Sequence, residues 1–241
     1  MSIEPADLAA DPWLRPEWGR VALLTIDTQL DFVEGGASPI PGTAAVLPAV
    51  AGLAAAFRAA GRPVVHVVRL YDGTDVDLAR RTLLDGGAPI VRPGSPGSQP
   101  APQILPPGAP PLDPAGLLAG GFQPMGPGEW AMWKPRWGAF HRTGLEAFLR
   151  GLEVSTVVVA GCNFPNCPRA AILQATERDF RVVAAADAIS GADGRHLAEA
   201  ARIGALHAPA SAIAAAVTAE AGDLAGLPGS GPGQPPSGSS R

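Results

Sequence analysis

A cysteine that could act as a nucleophile lies within residues 161–169, where a predicted strand passes into a predicted helix. Proline is favoured at the first position of a helix, so Pro168 predicts that Cys167 is the N-cap residue. The helix dipole and the free N–H groups there would stabilise a thiolate and lower the thiol pKa. The alternative is that Cys167 is a small, inert core residue, as most buried cysteines are.

Two charged residues, Asp27 and Lys134, each directly follow a predicted strand. In an open α/β sheet, ligands bind beyond the carboxyl ends of the strands, so these side chains are expected near Cys167. An aspartate could accept the thiol proton and return it to a leaving amine, and a lysine would stabilise the charges. The three residue types therefore fit an acid/base, a charge stabiliser and a nucleophile.

The elements that must position these residues alternate along the chain. Apolar runs predict strands at residues 21–26, 63–70, 130–133, 156–160 and 181–186, with a short strand near Ala208. Helical patterns occupy residues 43–60, 144–150, 168–179, 195–206 and 211–221. This alternation predicts an α/β fold with a mostly parallel sheet of about six strands, covered by helices on both faces.

Glycine and proline, 30 and 27 of the 241 residues, are abundant enough to suggest low complexity. They concentrate in residues 89–128 and 226–238, which lie outside the alternation of strands and helices. We predict an N-terminal extension at residues 1–20, one domain at 21–221 with an insertion at 89–128, and a flexible tail at 222–241. The insertion could be an active-site lid, a wrap over a neighbouring subunit or a poorly ordered loop.

Charge and composition exclude several classes of partner. Eighteen basic and 22 acidic residues give a net charge of −4, without the basic stripe that nucleic-acid binding needs. No apolar stretch suits a membrane, and the first residues lack a signal peptide pattern, so we expect a cytoplasmic protein. Cys162 and Cys167 lack the spacing of a zinc site, so no metal and no cofactor is predicted.

Four segments, taken in order, resemble the isochorismatase-like cysteine hydrolases. This family includes nicotinamidases, N-carbamoylsarcosine amidohydrolase and ureidoacrylate amidohydrolase. The segments are LTIDTQLDF at residues 24–32, KPRWGAF at 134–140 with Thr143 and Leu145, GCNFPNC at 161–167, and Asp187-Ala188. The resemblance runs from about residue 20 to 215. It implies a three-layer αβα sandwich and a catalytic triad of Asp27, Lys134 and Cys167.

The resemblance also implies an oxyanion hole and an assembly. A non-proline cis peptide is expected between Cys162 and Asn163, and the N–H groups of Asn163 and Cys167 would bind the oxyanion. The expected assembly is a homodimer or homotetramer.

Departures from the family pattern bear on the substrate. Phe164 stands where relatives often have threonine, and we predict that it forms an apolar wall of the pocket. Nicotinamidases bind a metal through histidines between the second strand and the lysine, but none of the four histidines here lies between residues 71 and 134. Metal-dependent nicotinamide hydrolysis is thereby disfavoured.

Five residues are candidates for substrate binding: Phe32, Arg69, Arg136, Trp137 and Phe164. Arg69 could hold a carboxylate in a bidentate fork, or equally form a salt bridge with Asp72, Asp75 or Asp77. Arg136 and Trp137 fit a pocket or a subunit contact about equally. Phe32 could line the site, although aromatic residues at such positions are more often plain core.

The sequence thus predicts a cysteine hydrolase that cleaves a C–N bond of a small-molecule substrate, a non-peptide amide, carbamoyl compound or lactam, through a thioester. The alternatives are a vinyl ether hydrolase of the isochorismatase type, a non-catalytic member of the fold, or a redox sensor that pairs Cys162 with Cys167. A cysteine in register favours C–N cleavage, because true isochorismatases work without it.

Overall fold

A computed structural model describes residues 9–73 and 75–225. Its centre is a seven-stranded sheet in the order β3-β4-β2-β1-β5-β6-β7. The strands are β1 (Val21–Ile26), β2 (Val64–Val68), β3 (Phe122–Gly126), β4 (Glu129–Trp133), β5 (Thr156–Gly161), β6 (Arg181–Ile189) and β7 (Ala205–Ala208). Neighbouring strands are parallel except β3 and β4, which are antiparallel. The predicted mostly parallel sheet is confirmed, with one strand more than expected.

Helices cover both faces of the sheet. They are α1 (Thr43–Ala59), α2 (Leu78–Asp85), α3 (Pro114–Leu118), α4 (Leu145–Gly151), α5 (Cys167–Thr176), α6 (Gly194–Ala201) and α7 (Ala210–Ala225). Among the described residues, none of the helices has both the length and the hydropathy to cross a bilayer.

Strand β1 shows how the three layers are held together. All six of its residues are buried, and their side chains alternate between two apolar cores. Leu24 and Ile26 join the core that contains residues of α4 and α5, whereas Val21 and Leu23 join the core that contains residues of α1 and α7. The three-layer αβα architecture is confirmed.

Two elements differ from prediction at the edges of the sheet. Strand β3 lies inside the insertion and was not predicted, because Pro124 and Gly126 are strand breakers that only an edge position tolerates. The helix predicted at residues 195–206 ends at Ala201, and Leu206 belongs to β7. Gly204, with a φ of 85°, separates the two elements.

The insertion at residues 89–128 is tied to the loop that follows β1. The amide of Val91 donates to the Asp31 carboxylate at 2.6 Å, and the amide of Ala101 donates to the Thr28 carbonyl at 2.8 Å. The tail was predicted to begin at residue 222, but α7 continues to Ala225. The rest of the predicted tail lies outside the described residues.

Candidate active site

A narrow cleft of about 30 Å³ lies at the carboxyl ends of the central strands, where a parallel sheet presents ligand-binding residues. It is lined by Asp27, Phe32, Ile40, Arg69, Tyr71, Arg80, Trp137, Cys162, Asn163, Asn166 and Cys167. The predicted nucleophile and the predicted acid/base therefore share one cleft.

Asp27 and Lys134 form a buried ion pair beside this cleft. The Lys134 Nζ donates to Asp27 Oδ2 at 2.8 Å, and the lysine side chain is completely buried. The same Nζ is 3.4 Å from the Arg136 carbonyl oxygen. Asp27 has a φ of 49°, in the left-handed region, directly after β1. Its second oxygen, Oδ1, is buried and has no hydrogen-bond partner in the described chain, so it is placed to accept a proton.

Cys167 is the first residue of α5, and Asn166 is the N-cap. The prediction that Cys167 is the N-cap itself was wrong by one residue. Its side chain is almost buried, with 8% of the residue exposed. Burial, and then the negative charge of Asp27, raise the thiol pKa to about 12, although Lys134 and Arg69 oppose this rise.

The predicted lowering of the Cys167 pKa was therefore also wrong. The helix terminus can be recognised in the sequence, but the loss of solvent around the sulfur and its proximity to a carboxylate depend on packing. The resting side chain is a neutral thiol at pH 7.

The turn before Cys167 passes close to β1. The peptide bond between Cys162 and Asn163 is cis. Gly161 has a φ of 117°, and a Cβ there would lie 2.1 Å from the Ile26 carbonyl oxygen, so only glycine fits. Cys162 lines the cleft, and its thiol donates to the Asp27 carbonyl at 3.0 Å.

Arg69 lines the cleft and also forms a salt bridge. Its NH2 group contacts the Asp77 carboxylate, which also accepts a hydrogen bond from the Tyr71 hydroxyl at 3.2 Å. The Gln29 side chain holds the backbone of Arg69 in place. The Arg69 amide donates to Gln29 Oε1 at 2.7 Å, and Gln29 Nε2 donates to the Arg69 carbonyl at 2.8 Å. Of the predicted salt-bridge partners of Arg69, the structure selects Asp77.

The other predicted substrate-binding residues divide into two groups. Phe32 and Trp137 line the cleft. Arg136 does not, because it pairs with Asp75 at 2.7 Å. Phe164 does not line it either. It is buried in the core, stacks on His196 with ring centroids 4.9 Å apart, and borders a neighbouring apolar groove.

Tyr71 and Arg80 line the cleft but were not predicted. Tyr71 is the only tyrosine of the chain and follows β2 closely, which was a usable signal. Arg80 lies on α2, a mostly exposed helix without an apolar face that the sequence could reveal. Asp187, from the fourth segment of the family resemblance, lies within β6, where it accepts a hydrogen bond from the Ala210 amide at 2.7 Å at the start of α7.

Nothing in the described chain is arranged as a metal centre. No group of three or more histidine, cysteine, aspartate or glutamate side chains within residues 9–73 and 75–225 is placed to bind an ion. His66 is held between Thr25 and Glu129.

Comparison with known proteins places these features in context. A family model described as an isochorismatase domain matches residues 21–218. A probable inactive nicotinamidase of Arabidopsis thaliana is 30% identical over 168 residues, covering 68% of this chain and 76% of that protein. The maleamate amidohydrolase of Pseudomonas putida is 28% identical over 164 residues, covering 64% and 66%. The crystal structure of an isochorismatase family protein from Desulfovibrio vulgaris has a TM-score of 0.69 and 30% identity, covering 80% of this chain and 96% of that one.

Proposed function

The chain belongs to the isochorismatase domain family, and on that premise we propose that it is a cysteine hydrolase acting on a C–N bond of a small non-peptide amide, carbamoyl compound or lactam. The observation that carries this proposal is the buried pair of Lys134 and Asp27, whose open carboxylate oxygen shares a cleft with Cys167. The relative named maleamate amidohydrolase supports an amide substrate.

The first step in this proposal is attack by the Cys167 sulfur on the carbonyl carbon of the substrate. Because the resting thiol is protonated, Asp27 Oδ1 accepts the proton as the C–S bond forms. Lys134 remains hydrogen-bonded to Oδ2 and provides a positive charge within the site throughout.

The tetrahedral intermediate carries its negative charge on the former carbonyl oxygen. We assign the backbone N–H groups of Asn163 and Cys167 to bind this oxyanion. Asp27 then returns its proton to the departing nitrogen, the C–N bond breaks, and ammonia or an amine leaves the cysteine thioester behind.

A water molecule completes the cycle. Asp27 removes a proton from the water as its oxygen attacks the thioester carbon. The C–S bond breaks, the carboxylic acid product leaves, and the proton returns from Asp27 to the Cys167 sulfur.

The test is a panel of amides, ureido compounds and lactams assayed for release of ammonia or amine. Cys167→Ala is expected to lose essentially all turnover while it keeps the circular dichroism spectrum and melting temperature of a folded protein. Acid quenching during turnover is expected to trap an acyl group on a peptide containing Cys167, detected by mass spectrometry. Undiminished amide hydrolysis in Cys167→Ala would overturn the covalent mechanism.

A matched variant controls for the second thiol. Cys162→Ala leaves Cys167 as the sole cysteine, so an acyl adduct on this variant must be on the proposed nucleophile. An adduct found only when Cys162 is present would assign the chemistry to the wrong sulfur and contradict the proposal.

A further inference from the structure

The charged residues on the wall of the cleft do not balance one another. Among the lining residues, the charged side chains are those of Asp27, Arg69 and Arg80. Asp27 is paired with Lys134, and Arg69 is paired with Asp77, so each of those charges has an opposite partner. Arg80 adds a further positive charge to the lining, which favours an anionic ligand.

Helix α2 aims Arg80 at the cleft. Arg80 and Leu84, one helical turn apart, are the two half-buried residues of α2, and the rest of the helix is exposed. Leu84 packs against an apolar cluster that includes Phe32 and Tyr71, two residues that also line the cleft. The inward face of the helix therefore places a guanidinium group on the wall of the site.

Arg69 is less able to bind a ligand, although it lies deeper in the cleft. Only 3% of the residue is exposed, and its guanidinium contacts the Asp77 carboxylate and, at 3.4 Å, the Lys134 carbonyl. Withdrawing Arg69 from these contacts would leave Asp77 buried without its ion-pair partner, which is costly. Arg69 is a positioning residue, and Arg80 is the cation that a ligand can reach.

We propose that Arg80 binds a carboxylate of the substrate, so that the cleft selects small amides bearing a carboxylate over neutral amides. A guanidinium presents paired N–H donors that match the two oxygens of a carboxylate. The narrowness of the cleft favours short compounds of this class. The inference rests on the proposed cysteine hydrolase function and adds to it the charge of the substrate.

The experiment compares substrates that differ only in charge. Succinamate and N-carbamoylglycine are assayed beside their neutral methyl esters, with wild-type protein, Arg80→Ala, Arg80→Lys and Arg81→Ala. In wild type we expect a higher kcat/KM for each acid than for its ester. Arg80→Ala should lower kcat/KM for the acids about 10- to 100-fold, mostly through KM, and lower kcat/KM for the esters much less. Arg80→Lys should recover part of the loss.

Arg81→Ala is the matched control, because Arg81 is the next residue of α2, is exposed, and borders a different cavity. It should behave as wild type towards acids and esters. An equal loss in Arg81→Ala would mean that the net charge of the helix matters, and would contradict a specific role for Arg80.

A binding measurement keeps the inference independent of turnover. Succinate should bind to wild type in calorimetry and bind about 10- to 100-fold more weakly to Arg80→Ala, whereas neutral succinamide should not distinguish the two proteins. No binding of succinate to wild type, or equal binding to Arg80→Ala, would overturn the inference even if neutral amides are hydrolysed. Arg80-dependent binding without hydrolysis of any amide would uphold the carboxylate site and contradict the proposed function instead.

Discussion

Two buried carboxylates of the sheet region differ in how many of their oxygens have hydrogen-bond partners. Asp27, after β1, uses one oxygen to accept a hydrogen bond from Lys134 and leaves the other without a partner in the described chain. Glu129, at the start of β4, uses both oxygens. His66 Nε2 and Arg58 NH2 contact its Oε1 at 2.6 and 2.7 Å, and Arg58 Nε contacts its Oε2 at 2.6 Å.

The difference separates a structural charge from one available for chemistry. Burial by itself raises the pKa of Glu129, but hydrogen bonds from Arg58 and His66 outweigh it and hold that pKa below its usual value. The Glu129 network is closed in the sense that both carboxylate oxygens and both ring nitrogens of His66 have partners. Asp27 keeps its Oδ1 without a hydrogen-bond partner in the described chain, beside a neutral thiol. A group that receives a proton needs such a free acceptor.

The largest expected effect is the loss of activity in Asp27→Asn. The amide keeps the shape of the side chain but cannot accept the thiol proton, so kcat should fall on the order of 10³-fold. Activity on the best substrate of the amide panel, with urea unfolding as the stability measurement, checks this. Glu129→Gln, which makes the same chemical change in the closed network, should retain kcat once corrected for the folded fraction. If both variants lose kcat equally, the distinction between the two carboxylates fails.

Stability should show the reverse order. Glu129→Ala leaves Arg58 and His66 without their shared acceptor in a buried site and should lower the free energy of unfolding by about 3–5 kcal/mol. Urea titration at pH 7 measures this. Asp27→Asn should cost less, because its amide oxygen still accepts a hydrogen bond from Lys134. A smaller loss for Glu129→Ala than for Asp27→Asn would contradict this ranking.

The two thiols of the cleft should lower the free energy of unfolding at alkaline pH, whereas the Glu129 network should not. Burial raises the pKa of the Cys162 and Cys167 thiols above 9.0, their value without such burial. The folded state therefore holds protons that the unfolded chain releases, so this stability is present below pH 9 and is lost as the pH rises towards 12.

Unfolding free energies measured at half-unit steps from pH 8 to 11 should fall with a slope of up to about 1.4 kcal/mol per pH unit for each thiol. Cys162→Ala should flatten this slope, and Glu129→Gln should leave it unchanged. A wild-type stability that stays constant up to pH 11 would contradict the raised thiol pKa values.

The smallest effect is expected at an exposed ion pair outside the cleft lining. Arg142 contacts Asp75, which also pairs with Arg136, and both side chains of the Arg142–Asp75 pair are substantially exposed. Arg142→Ala should therefore change the free energy of unfolding by less than about 1 kcal/mol, with kcat unchanged. Thermal unfolding and the amide assay check this, and a larger loss of stability would contradict the prediction.

The sequence predicted the layers of the fold and the positions of Asp27, Lys134 and Cys167, because a buried parallel strand is apolar until it ends. The polar residue that follows such a run is conspicuous, and all strands of this kind end at the same edge. The sequence did not predict β3 or α2, since the edge strand contains a proline and the helix lacks an apolar face.

The chemistry of individual side chains was harder to predict than their positions. Helix geometry suggested a lowered pKa for Cys167, but the solvent-free surroundings of the sulfur, produced by long-range packing, act in the opposite direction and dominate. Arg136 was a reasonable pocket candidate next to Lys134, yet its side chain turns to Asp75, a residue more than 60 positions away.

The side chain of Gln29 has a consequence for how this enzyme could be re-engineered. Its side-chain amide exchanges two hydrogen bonds with the backbone of Arg69 and donates to the Ser98 carbonyl at 2.6 Å. All three contacts are to main-chain atoms, so they impose no requirement on the side chain at position 98. A foreign loop grafted in place of residues 89–128 would need to return a carbonyl group to this point, whatever side chain it carries there, as well as the amides that bind the Asp31 carboxylate and the Thr28 carbonyl.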